Sequence, residues 1–314
     1  MSEKCVVVIG MSLLWLLLPY GITMILTGSA VGKDQIMPSG ITVEYEQEGQ
    51  VHKVDLEEYM IGVLAAEVPA DYQFEMYKAQ AVIIRTNARK LAGDSQKLLA
   101  QDLNMGYLSQ EELKNSLGTQ RYKEYYEKLK NAIMKTQGET LKYNGQYIDA
   151  LYHSVSIGKT ASAKDVYGKD IPYLESVSSS VDVEAKDYMQ METYNYAQLL
   201  EKLGVDEAAA QANYGINPQN FQAQLAVSEK SEDGYAKKVQ IGTRTLSGED
   251  FKNQFGLNSL YFYMENKDDG IRIICLGKGH GLGLSQFGAN KMAQQGKNYK
   301  KILQHYYKGA EIVK

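Results

Sequence analysis

The segment Asp55-Leu-Glu-Glu-Tyr-Met-Ile-Gly-Val-Leu-Ala-Ala-Glu-Val-Pro69 decides how the first part of the chain folds. Asp55 and Glu58 form a D-x-x-E capping pattern, and apolar residues then recur at helical spacing. Pro69 disfavours the α conformation at Val68, so we expect a helix that ends near Glu67. A carboxyl group there faces the negative end of the helix dipole, which favours the protonated form that a general acid needs. The alternative is an ordinary exposed glutamate at a helix end.

Length and composition describe a globular chain. It has 314 residues and a formal net charge of −4, which argues against wholesale nucleic-acid binding. The length predicts one large domain or two small ones with a sizeable core. Tyrosine is abundant, with 24 residues against six phenylalanines and one tryptophan. Tyrosine rings suit a surface that stacks on sugars, and half-buried strands and helices are the alternative place for them.

An apolar run from Cys5 to Leu26 is long enough to span a bilayer. We expect residues 1–32 to form one uncleaved N-terminal transmembrane helix and residues 33–314 to form an extracytoplasmic domain. Gly28-Ser29-Ala30 leaves cleavage of a signal peptide as the alternative. Cys275 is then the single external cysteine, so the external region offers neither an internal disulfide nor a thiolate metal cluster.

A second helix is predicted from about Phe74 to Leu91. Lys78, Arg85 and Arg89 lie seven and four residues apart, so they share one face of this helix. A solvated surface explains such a basic stripe. The alternative is an arginine placed one turn from a catalytic pocket.

The clearest β-hairpin signal lies at Asn144-Gly145, because Asn-Gly supplies the positive φ angles of a two-residue type I′ turn. We expect strands over Thr140–Tyr143 and Gln146–Tyr152. The second strand runs into Tyr152-His153-Ser154-Val155-Ser156-Ile157-Gly158-Lys159-Thr160. This string puts a histidine, several hydroxyls and a lysine where a strand gives way to a loop.

The remaining segments alternate between helical and strand-like patterns. Residues 94–118 predict a loop, and Tyr122–Thr136 predicts a helix. Residues 184–265 predict an inserted subdomain of helices and a short β region. Ile271–Leu276 predicts an apolar strand, and the glycine-rich stretch 277–288 follows it and opens a helix. We therefore predict an α+β fold in which helices surround a mixed sheet and form a substrate cleft.

The glycine-rich stretch does not have the spacing of a phosphate-binding loop. Its alternating glycines let the backbone pass close to another surface and direct His280 one way. The four histidines form no H-E-x-x-H motif and no cysteine pair exists, so we predict no metal site. Ser154, Ser156 and Ser285 leave a serine-dependent peptidase or esterase open, although no G-x-S-x-G elbow is present.

Three blocks of sequence occur in order along the external region. They are Ala65-Ala66-Glu67-Val68-Pro69 with Lys78–Val82 and Arg85-Thr86; Tyr152–Thr160 with Asp165–Gly168 and Pro172–Leu174; and Gly279–Ala289 with Gly296 and His305-Tyr306-Tyr307. In this order and rough spacing the blocks resemble the family of stage II sporulation protein D and the amidase enhancers.

The resemblance implies a lytic transglycosylase that acts on peptidoglycan while the forespore is engulfed. It implies Glu67 as the essential acid and Arg85 as its accompanying arginine. It also implies a preference for denuded glycan, from which an amidase has removed the stem peptides. The implied partners are the sporulation amidase, stage II sporulation protein P, and the membrane protein stage II sporulation protein M. The implied location is the cell membrane, with the catalytic domain in the space between mother cell and forespore.

The chain also departs from the family pattern. Val155 and Ile157 replace a threonine and a glycine of the second block. Some relatives carry a zinc-binding cysteine where this chain has Ser156. Since Ser156 has no cysteine nearby, we predict neither zinc nor any other cofactor.

A hypothesis of mechanism follows from the single prominent acid. Glu67 protonates the bond between N-acetylmuramic acid and N-acetylglucosamine, and then takes the proton of the muramyl 6-hydroxyl. Arg85 and Lys159 are expected to bind the free lactyl carboxylate of denuded strands. The substrate-binding residues predicted in the three blocks are Arg85, Tyr152, His153, Lys159, His280, Ser285 and Gln286. The competing interpretation is a non-enzymatic amidase activator or wall-binding module.

Overall fold

The computed structural model describes residues 35–314 except Glu48 and Asp269. The predicted transmembrane anchor, residues 1–32, lies outside the described residues. Within the described part of the chain, none of the helices combines the length and the apolar character needed to cross a bilayer.

Eight of the eleven described helices begin at a residue whose side chain caps the helix. Asp55 accepts a hydrogen bond from the backbone N–H of Glu57 at 2.9 Å, and the helix that it caps ends at Glu67, as predicted. The helices are α1 (Leu56–Glu67), α2 (Phe74–Ala92), α3 (Ala100–Leu103), α4 (Gln110–Leu117), α5 (Thr119–Lys135), α6 (Ala163–Tyr167), α7 (Tyr196–Leu203), α8 (Glu207–Tyr214), α9 (Gly248–Phe255), α10 (Gln286–Gln294) and α11 (Tyr299–Tyr306), with 3₁₀ turns at Pro172–Leu174, Ser180–Glu184 and Phe221–Gln224.

The strands are short and lie between these helices. They are β1 (Thr42–Gln47), β2 (Gln50–Asp55), β3 (Lys97–Leu99), β4 (Thr140–Tyr143), β5 (Gln146–Tyr147), β6 (Tyr152–His153), β7 (Met189–Tyr194), β8 (Leu225–Lys230), β9 (Ala236–Ile241), β10 (Arg244–Ser247), β11 (Phe262–Lys267), β12 (Gly270–Leu276), β13 (Leu284–Ser285) and β14 (Glu311–Val313). The described strands pair in the orders β2-β1-β3, β14-β4-β5, β6-β13, β10-β9-β8 and β11-β12-β7.

The α+β class is therefore confirmed, but the described strands form several small sheets instead of one mixed sheet. The first sheet alone combines an antiparallel and a parallel pair, β1 with β2 and β1 with β3. The centre of the fold that carries Glu67 is the helix α2, whose residues Val82, Ile83 and Ile84 are fully buried. Helix α2 occupies the space that a continuous sheet would fill, and the short strands β3, β4 and β5 pack against it.

A second cluster of buried side chains runs from Tyr194 to Cys275 and includes the stacked rings of Phe251, Phe255 and Phe262. Strands β7 to β12 and helices α7 to α9 contribute to it. The predicted subdomain of residues 184–265 overlaps this cluster. Strand β12, which lies beyond residue 265, supplies part of the same core, and the domain boundaries stay a prediction.

Two expectations about local structure are wrong. Residues 94–118 were expected to form a loop, yet they contain β3, α3 and α4. The missed signal is a capping box, in which Ser109 and Glu112 exchange side-chain and backbone hydrogen bonds at the start of α4. The helix α4 was not predicted because charged residues occur on both of its faces, so the segment has no clear apolar periodicity.

The hairpin turn is confirmed, since Asn144 and Gly145 both have positive φ angles, 49° and 78°. The second strand is shorter than expected and ends at Tyr147. Tyr152 and His153 belong to the separate strand β6, which pairs in parallel with β13. Tertiary pairing with a segment 130 residues away therefore decides the position of the second block.

Candidate active site

Glu67 lies half-buried at the C-terminal end of α1, on the wall of a cleft of about 680 Å³. Each oxygen of its carboxyl group accepts a hydrogen bond from a different part of the chain. The backbone N–H of Gly106 donates to Oε1 at 2.6 Å, and the hydroxyl of Tyr152 donates to Oε2 at 2.7 Å. A carboxylate has about four lone-pair positions, so two positions remain for a substrate.

The third block fixes the backbone at this helix end. Val68 leaves the helix with extended φ and ψ of −119° and 125°, as the following proline requires. The carbonyl oxygen of Glu67 then accepts a hydrogen bond at 2.9 Å from the side-chain amide of Gln286, the first residue of α10. Gln286 is almost fully buried and also lines the cleft.

The second and third blocks are brought together by the parallel pairing of β6 with β13. Leu284 lies opposite Tyr152, and Ser285 lies opposite His153. The backbone N–H of Leu282 donates to Nδ1 of His280 at 3.1 Å, and the His280 ring lies 5.9 Å from the ring of His153. All three blocks therefore meet beside the carboxyl group of Glu67.

Glycine permits this close approach. A side chain at Gly279 would place its Cβ 2.8 Å from the Cβ of His153, and Gly279 has a φ of 107°. Both the backbone conformation and the contact exclude larger residues here. The alternating glycines of the third block thus serve the approach of two chain segments, as the sequence indicated.

The cleft carries both charge signs. Its lining includes Asp71, Lys186, Asp187 and Lys278 in addition to Glu67. Asp187 is neutralised by Lys278, whose amine lies 3.0 Å from the Asp187 carboxylate. Lys186 is exposed and forms no ion pair among the described residues. The cleft therefore presents a carboxyl group held by neutral donors and an unpaired cation.

Burial and the neighbouring Glu67 carboxylate raise the pKa of Tyr152 well above its ordinary value. The hydroxyl consequently stays protonated at neutral pH and keeps its proton available for the bond to Glu67. The sequence predicts Tyr152 as a substrate-binding residue, and the structure adds a direct hydrogen bond from Tyr152 to the candidate acid Glu67.

Known proteins resemble this chain over most of its length. The chain is 35% identical over 283 residues to stage II sporulation protein D of Bacillus subtilis (strain 168), covering 88% of this chain and 79% of that protein. The chain belongs to the stage II sporulation protein D family. The family model described as SpoIID, stage II sporulation protein, matches residues 44–143. An amidase enhancer of Bacillus subtilis (strain 168) is 22% identical, covering 80% of this chain and 40% of the enhancer.

Arg85 does not occupy the place that the family resemblance implies. Its guanidinium is fully buried, and Nε and Nη2 donate to the two carboxylate oxygens of Glu57 at 2.6 and 2.7 Å. Nη1 donates to the carbonyl oxygen of Glu139 at 3.1 Å. Arg85 therefore lies in the core between α1, α2 and α5 and does not line the cleft that contains Glu67, and its role in binding substrate stays a prediction.

The rest of the predicted basic stripe also serves the fold. Lys78 pairs with Glu75 at 2.6 Å and lies over the ring of Tyr299. Arg89 donates to the backbone carbonyl of Ser39 at 2.8 Å. None of these described side chains lines the cleft that contains Glu67.

Lys159, the second expected anchor for the lactyl group, forms an ion pair with Asp233. It does not line the described cleft. Its amine is thus neutralised by a residue of the region between β8 and β9. The expected role of Lys159 in binding the lactyl carboxylate stays a prediction.

Ser285 and His153 are buried and do not line the cleft. The hydroxyl of Ser285 is fully buried and donates to Asp182 Oδ2 at 2.6 Å, while its oxygen caps α10. The same carboxylate oxygen accepts the backbone N–H of Ser156 at 2.7 Å. Burial raises the pKa of Asp182, and these hydrogen bonds act in the opposite direction. Ser285 is therefore a structural residue and not the substrate-binding residue that was expected.

His153 is almost fully buried, and its Nδ1 lies 3.0 Å from the carbonyl oxygen of Leu282. Burial lowers the pKa of His153 to about 3, so its ring is neutral at physiological pH. This position corrects the expectation that His153 binds substrate. His280, in contrast, is exposed at the surface and remains a candidate for substrate contact.

One contact of the site, the backbone N–H of Gly106, could not be predicted from residue types. A main-chain donor leaves no mark on residue type, and this segment was expected to be a loop. Lys186 lies in the segment 184–265, from which no site residue was predicted. Within the described residues, no group of three or more His, Cys, Asp or Glu side chains is placed to hold a metal ion.

Proposed function

We propose that this protein is a lytic transglycosylase that cleaves the bond between N-acetylmuramic acid and N-acetylglucosamine in denuded peptidoglycan. The observation that carries the proposal is the carboxyl group of Glu67, held in an open cleft by the two neutral donors of Gly106 and Tyr152. Membership of the stage II sporulation protein D family supports a role in the cell wall during sporulation.

Protonated Glu67 donates its proton to the glycosidic oxygen as the bond from this oxygen to the anomeric carbon breaks. The carboxylate that forms is stabilised by the hydrogen bonds from Gly106 and Tyr152. It then accepts the proton of the muramyl 6-hydroxyl, whose oxygen attacks the anomeric carbon. The products are a 1,6-anhydromuramyl end and a free 4-hydroxyl on N-acetylglucosamine, and the carboxyl group regains its proton.

This sequence of steps needs one carboxyl group, because the nucleophile belongs to the substrate. The charge distribution of the cleft agrees with it. Asp187 is paired with Lys278, whereas Glu67 accepts hydrogen bonds from two neutral donors, Gly106 and Tyr152. Incubation of denuded glycan with the protein, followed by mass spectrometry, tests the reaction. Anhydro ends support the proposal, and hydrated reducing ends alone contradict it.

Replacement of Tyr152 with phenylalanine is expected to lower kcat by about 10- to 100-fold. It removes one hydrogen bond to a charged carboxylate, an interaction worth about 1.5–3 kcal/mol. The measurement is the initial rate of anhydro-end formation. Tyr72→Phe is the matched control, since Tyr72 lines the same cleft without a hydrogen bond to Glu67. Equal activity of Tyr152→Phe and wild type would remove Tyr152 from the mechanism.

The choice of denuded strands requires a cation for the lactyl carboxylate that amidase action exposes. Lys186 is our candidate for this cation in place of Arg85, because it lines the cleft and forms no ion pair with another residue that the structure describes. An intact stem peptide converts the lactyl carboxylate to an amide and removes the charge that Lys186 would attract.

We expect Lys186→Gln to raise KM for denuded glycan about two- to fivefold, since an exposed ion pair contributes roughly 0.2–1 kcal/mol. KM for strands that retain their stem peptides should stay unchanged. Lys169→Gln, an exposed lysine outside the cleft, is the control. An equal loss on both substrates would show that Lys186 does not recognise the lactyl group.

A second candidate function is activation of an amidase, and the similarity to an amidase enhancer favours it. It predicts that the protein binds glycan without cleaving it and raises amidase activity when the two are mixed. The partners we propose are stage II sporulation protein P as the amidase and stage II sporulation protein M at the membrane. The proposed location is the cell membrane, with the described domain on its outer side.

A further inference from the structure

The segment from Asn104 to Ser109 reaches the candidate acid from outside the three blocks. It links α3 to α4, and its middle residue Gly106 donates its N–H to Glu67 Oε1. Both ends of the segment are fixed. Asn104 closes α3 in a left-handed conformation with φ of 48°, and Ser109 opens α4 through its capping box.

The segment packs against α1 at Gly62, which has no side chain. A Cβ added to Gly62 would lie 2.3 Å from a ring carbon of Tyr107 and 2.6 Å from the carbonyl oxygen of Leu108. The N–H of Leu108 also donates to the carbonyl oxygen of Gly62 at 3.1 Å. A larger residue at position 62 would therefore push the segment away from the helix that carries Glu67.

Aromatic stacking holds the same contact. The ring of Tyr107 lies parallel to the ring of Tyr59, with centroids 4.6 Å apart and an interplanar angle of 4°. Tyr59 stands one helical turn before Gly62, so the stacked pair and the glycine form one continuous contact. Tyr45 of β1 packs against both rings, at 5.5 and 5.0 Å.

We propose that Gly62 and Tyr107 are positioning residues that dock this segment so that the Gly106 amide fixes the orientation of the Glu67 carboxyl group. The inference rests on the proposed function of Glu67 as acid and base. A glutamate side chain at a helix end has several rotamers, and the Gly106 and Tyr152 donors together select one of them. Displacement of a catalytic group by about 1 Å costs on the order of 100-fold in rate.

The test measures kcat and KM for anhydro-end formation, together with Tm, for wild type, Gly62→Ala, Tyr107→Ala and Tyr107→Phe. We expect Gly62→Ala and Tyr107→Ala to lower kcat about 10- to 100-fold with KM within about twofold of wild type. Tyr107→Phe keeps the stacked ring and should restore most of kcat. Tyr122→Ala, which breaks the separate ring pair of Tyr122 and Tyr126, controls for general loss of aromatic packing.

A spectroscopic measurement separates positioning from mere stability. The amide proton of Gly106 should resonate at low field in wild type, because its hydrogen bond to the carboxyl group is short. It should move upfield in Gly62→Ala, Tyr107→Ala and Glu67→Gln but not in Tyr107→Phe.

The outcomes distinguish this inference from the proposed function. Glu67→Gln with wild-type activity would overturn the proposed function. Inactive Glu67→Gln together with unchanged kcat in folded Gly62→Ala and Tyr107→Ala would overturn the positioning role alone. A fall in Tm for Gly62→Ala or Tyr107→Ala with unchanged kcat and an unmoved Gly106 resonance would likewise assign Gly62 and Tyr107 to stability only.

Discussion

Glu67→Gln is expected to lower the rate of anhydro-end formation from denuded glycan by about 100- to 10,000-fold, the usual contribution of a general acid or base. Glutamine keeps the size of the side chain and an oxygen that can accept the N–H of Gly106. It cannot donate the proton that the glycosidic oxygen needs. The loss should therefore appear in kcat, with KM and Tm close to wild type.

Asp71→Asn is the matched control for this substitution. Asp71 lines the same cleft and also carries a carboxyl group, but it forms no described hydrogen bond with Gly106 or Tyr152. Its replacement should leave kcat within about threefold of wild type, since a surface charge in the cleft contributes roughly 1 kcal/mol or less. If Glu67→Gln produced anhydro ends as fast as wild type, the mechanism would be wrong.

The same variant separates enzyme from activator. An inactive Glu67→Gln protein that still raises amidase activity would show that one surface performs both roles. If Glu67→Gln loses glycan cleavage and neither wild type nor Glu67→Gln stimulates the amidase, the protein is a transglycosylase without an activator role. Amidase stimulation without anhydro ends from wild type would instead establish the activator.

Arg85→Ala is expected to lower the free energy of unfolding by about 3–5 kcal/mol, because it leaves the buried carboxylate of Glu57 without its partner. Both side chains are almost fully inaccessible, and their two hydrogen bonds are short. The measurement is urea-induced unfolding of the purified protein. Lys90→Ala, which breaks an exposed ion pair with Asp149, is the control and should cost about 1 kcal/mol or less.

A double variant sharpens the interpretation of Arg85. Replacement of both Glu57 and Arg85 with methionine removes both charges together and should recover part of the stability that Arg85→Ala loses. Folded Arg85 variants should keep the wild-type preference for denuded over stem-bearing strands. A selective loss of activity on denuded strands, with little change in stability, would instead show that Arg85 contributes to substrate binding.

The sequence resemblance implied Arg85 as an arginine beside the acid, and the structure shows why spacing along α2 does not establish that role. Arg85 stands at a regular distance along α2, and helical spacing alone places it with Lys78 and Arg89. Whether such a face meets solvent, a cleft or another helix depends on packing. Here α1, which carries Glu57 in its first turn, covers that part of α2.

The sequence by itself determined the local features of this protein. Asp55 and Pro69 set the two ends of α1 and thus put Glu67 at its last position, because a cap and a proline act on their own neighbours. Asn144-Gly145 likewise set the hairpin turn. These are short-range effects of backbone sterics and capping hydrogen bonds.

Only the tertiary structure decided what surrounds the carboxyl group. The Gly106 amide, the Tyr152 hydroxyl and the Gln286 amide come from three distant parts of the chain, and each is placed by contacts that no local pattern encodes. Burial also reassigned Arg85 and Ser285 from the site to its support. The physical reason is that a side chain's role depends on which surfaces the packed elements cover, and packing is a property of the whole fold.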